Sequence, residues 1–449
     1  MSAETSTIKR GSALVIYYSS SAVCGVGTWV EALAQELEAR DWSVVVGLAW
    51  GRRFHDPLRV ERKRPSLKTI WMDGRTGTEE GRIQAVARTI RRVRPDVVIL
   101  TCLDSAFEAV RRLRRNGAAF HLIATNHGNL PRQAACLMGQ QDVVDMAVCV
   151  GQLSCLAMTG GENGFPPSRI RHVGNPVPLP DAVRVPHSPP FRVGYAGRLD
   201  GELRKRVDDL EPFFRELLVR WPCAELWIAG DGMEEHKVRA MGDRFRGRVT
   251  CFGGMTRAEL YKRFYPQLDA LINCSASEGW GLSIAEAMAH GVVPVSAAFD
   301  GVYTEGLIRE GINGLLFPVG DTAAAARTVA ALFADPPRLA RLGAQAAHDV
   351  RTRYSPARFG DQWCEVLRDC LALPPLPPVA RPASLSCRSR FGIPEPQWER
   401  IRRLLRRRVP HASTGEEWPH YRCANTELIN EVAGKMKAIE DQARSGDVK

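Results

Sequence analysis

The chain has 449 residues, a formal net charge of +11, and 45% hydrophobic and 25% charged residues. That length exceeds one ordinary domain and favours two or three, and the composition excludes a disordered or fibrous chain. The basic excess points to an anionic partner: nucleic acid, a membrane surface or a phosphorylated substrate. The 12 cysteines are scattered, with no CxxC pair and no histidine cluster beside them. That pattern argues against zinc and fits a reducing cytosol. The opening 1-MSAETSTIKRGS-12 has no apolar signal core, and no run of about 18 apolar residues occurs, so no membrane-spanning helix is expected.

In chain order, short apolar runs alternate with helical periods, the pattern of a parallel α/β sheet. A strand is expected at 13-ALVIY-17, then a loop 18-YSSSAVCGVG-27, then a helix whose inner face carries Val30, Leu33, Ala34 and Leu37. Further strands are expected at 44–46, 97–100, 121–124 and 146–150. The stretch 184-RVPHSPPF-191 has the composition of a linker. Beyond it the rhythm restarts, with strands at 192–196, 225–228, 269–273, 293–295 and 314–317. Between them lie a helix marked by Leu210, Phe213, Phe214 and Leu217 and a capping box at Thr256 and Glu259. The expected organisation is a first α/β domain over 1–185, a second over 186–353, and a helix over 354–373 returning to the first domain. A Pro-rich stretch, 374-PPLPP-378, then opens a tail to 449. That tail carries a basic helix over 397–410, with Trp398, Ile401, Leu404 and Leu405 on its apolar side.

The stretch 278-EGWGLSIAEAMAHGVVPV-295 follows an expected strand, at the edge where open α/β sheets bind ligands. Gly279 and Gly281 permit close backbone approach, and the N–H groups of Gly281, Leu282 and Ser283 open a helix whose start carries roughly half a positive charge. Such an end suits a diphosphate. Glu278 can reach sugar hydroxyls and Glu286 a ribose diol; the bland alternative is a capping Glu278 and a surface Glu286. Gly25 and Gly27 read as a phosphate-facing loop after the first strand, yet the third glycine of a dinucleotide fingerprint is missing. No acid ends the second strand, which argues against NAD.

The same stretch closely resembles the signature of retaining glycosyltransferases of family 4, with Trp280 where that family has Phe or Tyr. The resemblance continues, in order, through 125-TNHG-128, 173-VGNPVPLP-180, 197-GRL-199 with 207-VDDL-210, 228-IAGDGMEE-235, Ser275 and 311-GINGLLFPVGD-321. It implies the GT-B fold: two tandem Rossmann-like domains facing a cleft, the first for the acceptor and the second for a nucleotide diphosphate sugar. It implies Arg198 and Lys205 on the donor diphosphate, with Arg204 a rival for the lysine and Arg206 standing where the family has Gly. Glu278 and His127 join them as catalytic candidates, and Glu286, Gly279, Gly281, Leu282, Ser283, Gly25, Gly27, Gly254 and Met255 as donor-binding ones.

The activity implied is transfer of a sugar from a UDP- or GDP-sugar to a hydroxyl of a glycan, lipid-linked or other envelope acceptor, with retention and without a cofactor or metal. The acids 208-DD-209 read as capping charge rather than a metal motif. The competing class is a scaffold that kept the fold and lost turnover; nucleic acid is not expected, since no recognition signature accompanies the charge. The basic runs 52–64, 91–94, 111–115 and 402–408 make an anionic membrane surface a candidate partner, and the expected location is cytoplasmic, including the inner face of the membrane. The alternative for those runs is solubility charge, and the tail is left as packing, pairing or disordered chain.

Overall fold

The computed structural model describes residues 10–18, 25–183, 190–199, 204–374, 376–377, 393–409 and 417–446. Most of the loop expected at 18–27, most of the linker at 184–191, and parts of 374–378 and of the basic stretch to 410 lie outside them. The chain divides into two compact units. The first takes described residues within 1–150, 154–173 and 359–435, and the second those within 151–153, 174–358 and 436–449.

The first unit is built on a seven-stranded parallel sheet of strands β1 (Gly11–Tyr17), β2 (Trp42–Trp50), β3 (Thr69–Asp73), β4 (Val97–Thr101), β5 (His121–Asn126), β6 (Met146–Cys149) and β7 (Ile170–His172). Their spatial order is β3-β2-β1-β4-β5-β6-β7. The central strands are buried on both faces, as helix-covered parallel strands must be, and read as continuous apolar runs. The helix Gly25–Glu38 buries Trp29, Val30, Leu33, Ala34 and Leu37. Trp29 meets Trp363 of the helix Pro356–Leu371 edge-on, with ring centroids 5.4 Å apart. Gly25 and Gly27 therefore form the first turn of a helix rather than a loop, and a Cβ on Gly27 would come 2.6 Å from the Tyr17 hydroxyl.

The second unit repeats the plan with six parallel strands: β8 (Arg192–Ala196), β9 (Glu225–Ala229), β10 (Val249–Gly253), β11 (Ala270–Asn273), β12 (Val293–Ala297) and β13 (Leu315–Phe317). Their order is β10-β9-β8-β11-β12-β13. Strand order in both sheets reverses direction once, between β1 and β4 and between β8 and β11, and these are the topological switch points. β8 and β11 pair only through Ala270 with Val193 and Leu271 with Gly194, so their carboxyl ends part just where the site loops begin.

The sequence reading missed β3, β7 and β10, and each is an edge strand. Edge strands are partly solvated, so they lack the apolar run that betrays a central strand. The basic helix spans Glu395–Leu404 only, and its apolar side divides: Ile401 is half-buried, whereas Leu404 and Leu405 are exposed. Among the described residues no helix is long and apolar enough to cross a membrane.

Candidate active site

The candidate site of the second unit grows from its switch point. The loop after β8 carries Arg198 and Lys205, and the loop after β11 carries Ser275 to Gly281. The loops are stitched together by the Ala276 N–H, which donates to the Arg204 carbonyl at 2.8 Å. Across them the Lys205 ammonium donates to both carboxylate oxygens of Glu278, at 2.7 and 2.9 Å. The fold thus joins two sequence-predicted site residues 73 positions apart. Both side chains are largely buried, at 16% and 14% exposure, which raises their mutual attraction above that of a surface pair while adding a desolvation cost. Arg198 is exposed, and its carbonyl accepts from the Tyr195 hydroxyl at 3.3 Å.

Arg206 occupies the left-handed region at φ 50° and ψ 45°, a backbone geometry that Gly meets without penalty. Its guanidinium forks onto Asp209 at 2.7 and 3.0 Å, which offsets the local cost. Asp208 pairs with Lys237 at 2.8 Å. Both acids stand in the first turn of the helical segment Val207–Asp209 that leads into the helix Leu210–Arg220, where they also serve as ion-pair partners.

The loop after β11 ends at Gly281, whose φ of 92° suits glycine and turns the chain into the helix Leu282–Ala289. The N-cap position of that helix is Gly281 itself, which brings no side chain to the helix start, and Glu278 is engaged by Lys205. Leu282 and Ser283 sit half-buried in its first turn and Gly279 half-buried before it. The first N–H groups of a helix that opens on a glycine make an anion-receptive end. Ser275, just past β11, has a buried hydroxyl with no hydrogen-bond partner among the described residues. Such an orphan at a strand end fits a position that a ligand or water satisfies.

Glu286 is buried, at 5% exposure, and so is no surface acid. Arg257 Nε donates to one carboxylate oxygen and the Tyr265 hydroxyl to the other, both at 2.9 Å. Burial raises the Glu286 pKa in spite of Arg257, which favours the ionised form. Sequence reasoning did not find Arg257 or Tyr265. Arg257 stands one residue past the capping-box Thr256, and Tyr265 lies just beyond a π-helical turn, Leu260–Phe264, whose irregular register no periodicity announces.

Trp280 is buried and donates its indole N–H to Glu305 at 2.7 Å. The other oxygen of Glu305 accepts the Gln152 backbone N–H at 2.7 Å. Glu440, from the helix Thr426–Ser445, accepts the N–H groups of Tyr303 and Thr304 at 3.0 and 3.1 Å and so braces the turn that carries Glu305. Glu305 and Glu440 were also invisible in the sequence, where a lone acid beside Gly306 and one among many helical acids carry no signal. Gly254 is exposed after β10, and a Cβ there would come 2.8 Å from an oxygen of Asp231; Met255 follows half-buried.

In the first unit, His127 stands just past β5. The Thr125 hydroxyl and its Nε2 are 2.8 Å apart, and its ring meets Trp29 edge-on at 4.7 Å. Burial pushes its pKa down to about 3, so the imidazole is neutral at physiological pH. Among the described residues no group of three or more His, Cys, Asp or Glu side chains is placed to hold a metal ion.

Two family profiles match the chain. That described as "Glycosyltransferase Family 4" matches residues 23–180, and that described as "Glycosyl transferases group 1" matches residues 190–335. Among similar proteins, the lipopolysaccharide 1,6-galactosyltransferase of Escherichia coli (strain K12) is 24% identical over 247 residues, 54% of this chain and 66% of that protein. The lipopolysaccharide core biosynthesis glycosyltransferase LpsE of Rhizobium meliloti (strain 1021) is 27% identical over 154 residues, 34% of this chain and 44% of that protein. The chain thus spans less than two thirds of the length of these curated relatives. Among solved structures, sucrose-phosphate synthase from Thermosynechococcus elongatus superposes with a TM-score of 0.66 at 17% identity, covering 81% of this chain and 100% of that one. Anabaena HepE in complex with UDP and glucose does so with a TM-score of 0.62 at 16% identity, covering 80% and 100%. At these identities the structures speak for the fold.

Proposed function

We propose, from the premise that this chain belongs to the family 4 glycosyltransferases of GT-B fold, that its second unit holds a nucleotide diphosphate sugar and donates the sugar to a hydroxyl acceptor. The observation that carries the reading is the Lys205–Glu278 pair, set across the two switch-point loops and beside the glycine-led start of the helix Leu282–Ala289. The donor diphosphate sits at that helix start. Lys205 and Arg198 offset the negative charge that grows on the leaving nucleotide diphosphate. Glu278 orients the sugar hydroxyls, held in position by Lys205. Glu286 accepts from the ribose diol through lone pairs left over from Arg257 and Tyr265, since a carboxylate has about four acceptor sites. His127 acts as a neutral hydrogen-bonding group.

The reaction proceeds with retention. The bond from the anomeric carbon to the phosphate oxygen breaks as the acceptor oxygen approaches from the same face. The acceptor proton passes to the departing phosphate oxygen, so no side-chain nucleophile takes part. The charges of Arg198, Lys205 and the helix start do the work that a divalent ion does elsewhere, and the transfer needs no metal. A uridine donor is supported by the solved neighbour that carries UDP and glucose, and an envelope glycan or lipid-linked acceptor by the lipopolysaccharide glycosyltransferases among the relatives. The location that goes with this reading is the cytoplasm, including the inner face of the membrane.

The test is a panel of UDP- and GDP-sugars incubated with the full-length protein without added metal, read by release of free nucleotide. The expected outcome is slow hydrolysis of one donor, unchanged by a chelator. Release from none of them, together with no binding of UDP or GDP, sinks the reading.

A further inference from the structure

The C-terminal extension places a basic and apolar edge on the first unit. Its helix Glu395–Leu404 is anchored by Glu399, a buried acid that accepts from the Thr78 hydroxyl at 2.7 Å and from Arg402 at 3.2 Å. Gln84 donates to the Pro396 carbonyl at 3.0 Å. Beyond the helix the chain turns at Arg406, with φ 51°, and its Val409 N–H donates to the Thr76 carbonyl at 2.8 Å. The end of the helix is therefore fixed to the loop after β3, and its side chains present outward in a set direction. Leu404 is 83% exposed and Leu405 58% exposed, with Arg400, Arg403, Arg406, Arg407 and Arg408 exposed around them. Isolated exposed leucines are ordinary, but adjacent ones on a fixed helix end ringed by arginines are not what solubility alone asks for.

Beside that helix end lies a cavity of about 280 Å³, lined among others by Trp71, Asp73, Arg88, Arg92 and Arg403. Its charges do not balance. Asp73 is already held by Arg75, through contacts of 2.9 Å to each carboxylate oxygen. No ion pair among the described residues engages Arg88, Arg92 or Arg403. Burial and then the like charge of Arg403 push the Arg88 guanidinium down to about 10 against the opposing pull of Asp73 and Glu399, so it stays charged beside acids that other groups already hold. A half-buried cation is stable where an anion joins it, and guanidinium groups in such a cluster match the oxygens of a phosphate.

We propose that this edge docks on an anionic phospholipid bilayer, with a lipid phosphate seated among Arg88, Arg92 and Arg403 while Leu404 and Leu405 enter the boundary between headgroups and acyl chains. The arginine cavity supplies the charge complementarity, and the exposed leucine pair selects a bilayer over a nucleic acid, which offers no apolar layer to receive it. The inference goes beyond the donor reading and is independent of it, because it rests on residues far in sequence from the second unit's switch-point loops.

Flotation of the full-length protein with phosphatidylcholine vesicles, pure or containing about one-third phosphatidylglycerol, tests it. Binding is expected only to the anionic vesicles and is expected to fall as salt is raised above about 0.1 M. Arg403→Glu is expected to lower the bound fraction by more than the roughly fivefold that one basic residue contributes, since it also reverses a charge. Leu404→Asp with Leu405→Asp abolishes binding. Arg239→Glu, the same charge change on an exposed arginine of the second unit, leaves most of it. All these sites are exposed, so thermal unfolding is expected to match that of the wild type. The proposal is overturned by no flotation, by equal binding to neutral vesicles, by variants that bind like the wild type, or by equal losses in Arg239→Glu and Arg403→Glu. Binding of single-stranded RNA that depends on Arg403 while vesicles are ignored also overturns it. Nucleotide release by the bilayer-blind variants, measured alongside, separates this outcome from the fate of the donor reading.

Discussion

The two units share one sheet plan and use its switch point differently. In the second, the loops after β8 and β11 carry charge: Lys205 on Glu278, and Arg206 on Asp209 behind it. In the first, the chain's own C-terminal segment lies over the equivalent strand ends. His420 bridges Leu103 just past β4, and the Asp104 N–H donates to the Pro419 carbonyl at 3.2 Å. The Tyr421 hydroxyl donates to the Leu100 carbonyl at 3.3 Å, and the His420 ring meets Tyr18 at 4.6 Å. Trp418 is fully buried against Gly74, and Glu417 accepts the N–H groups of Arg52, Arg53 and Phe54. The same topology thus presents a charged candidate site in one unit and a chain-covered edge in the other. A switch point marks where a ligand can bind, and the loops and extensions decide whether one does.

The sharpest way to break that contrast is at Trp418. Trp418→Ala removes a buried indole from the cover of the first unit and is expected to cost about 3–5 kcal/mol in denaturant unfolding. A cost below about 1 kcal/mol would show that the segment merely rests on the sheet.

The next effect is a pH dependence confined to the same cover. His55 is buried beside Glu417, with His420 and Arg82 also near, and burial pushes its pKa down to about 4. The folded chain therefore keeps His55 neutral while the unfolded chain protonates it below its ordinary value of about 6.5. Folding then releases a proton in the window between those values, so stability falls as pH drops through it, by about 1.4 kcal/mol per pH unit for one group. Burial works against the ionised Glu417, yet the N–H groups of Arg53, Arg52 and Phe54 hold its pKa below the usual range, so its contribution is lost only at lower pH. His55→Gln is expected to flatten the slope between pH 6.5 and about 4 in thermal unfolding.

The smallest effect lies behind the site of the second unit. Arg206→Gly relieves a left-handed arginine but loses the Asp209 pair. These terms oppose each other, and the net change in unfolding free energy is expected to stay within about 1 kcal/mol. A larger loss would mean that Arg206 also holds the loop after β8 in shape.

How much of this was legible follows the same division. Central strands such as β1 and β4 announced themselves as apolar runs because helices cover both faces. The loop from Glu278 to Gly281 stood out because it sits at a strand end and resembles a family signature, and the fold does bring Lys205 to Glu278. Its supports were not. Arg257, Tyr265, Glu305 and Glu440 act through contacts between distant segments, which leave no periodic trace. The cover of the first unit was hidden for the same reason: Trp418 and Tyr421 are buried by position, within a stretch that has neither strand nor helix pattern.

Titration of the full-length protein with UDP and GDP, wild type against Lys205→Ala, measures the central claim most directly. The account predicts micromolar-to-millimolar binding of one nucleotide to the wild type and a loss of about ten- to a hundredfold in Lys205→Ala, the worth of one charge-assisted hydrogen bond to phosphate. Equal affinity in the two proteins, with both folded, would contradict it.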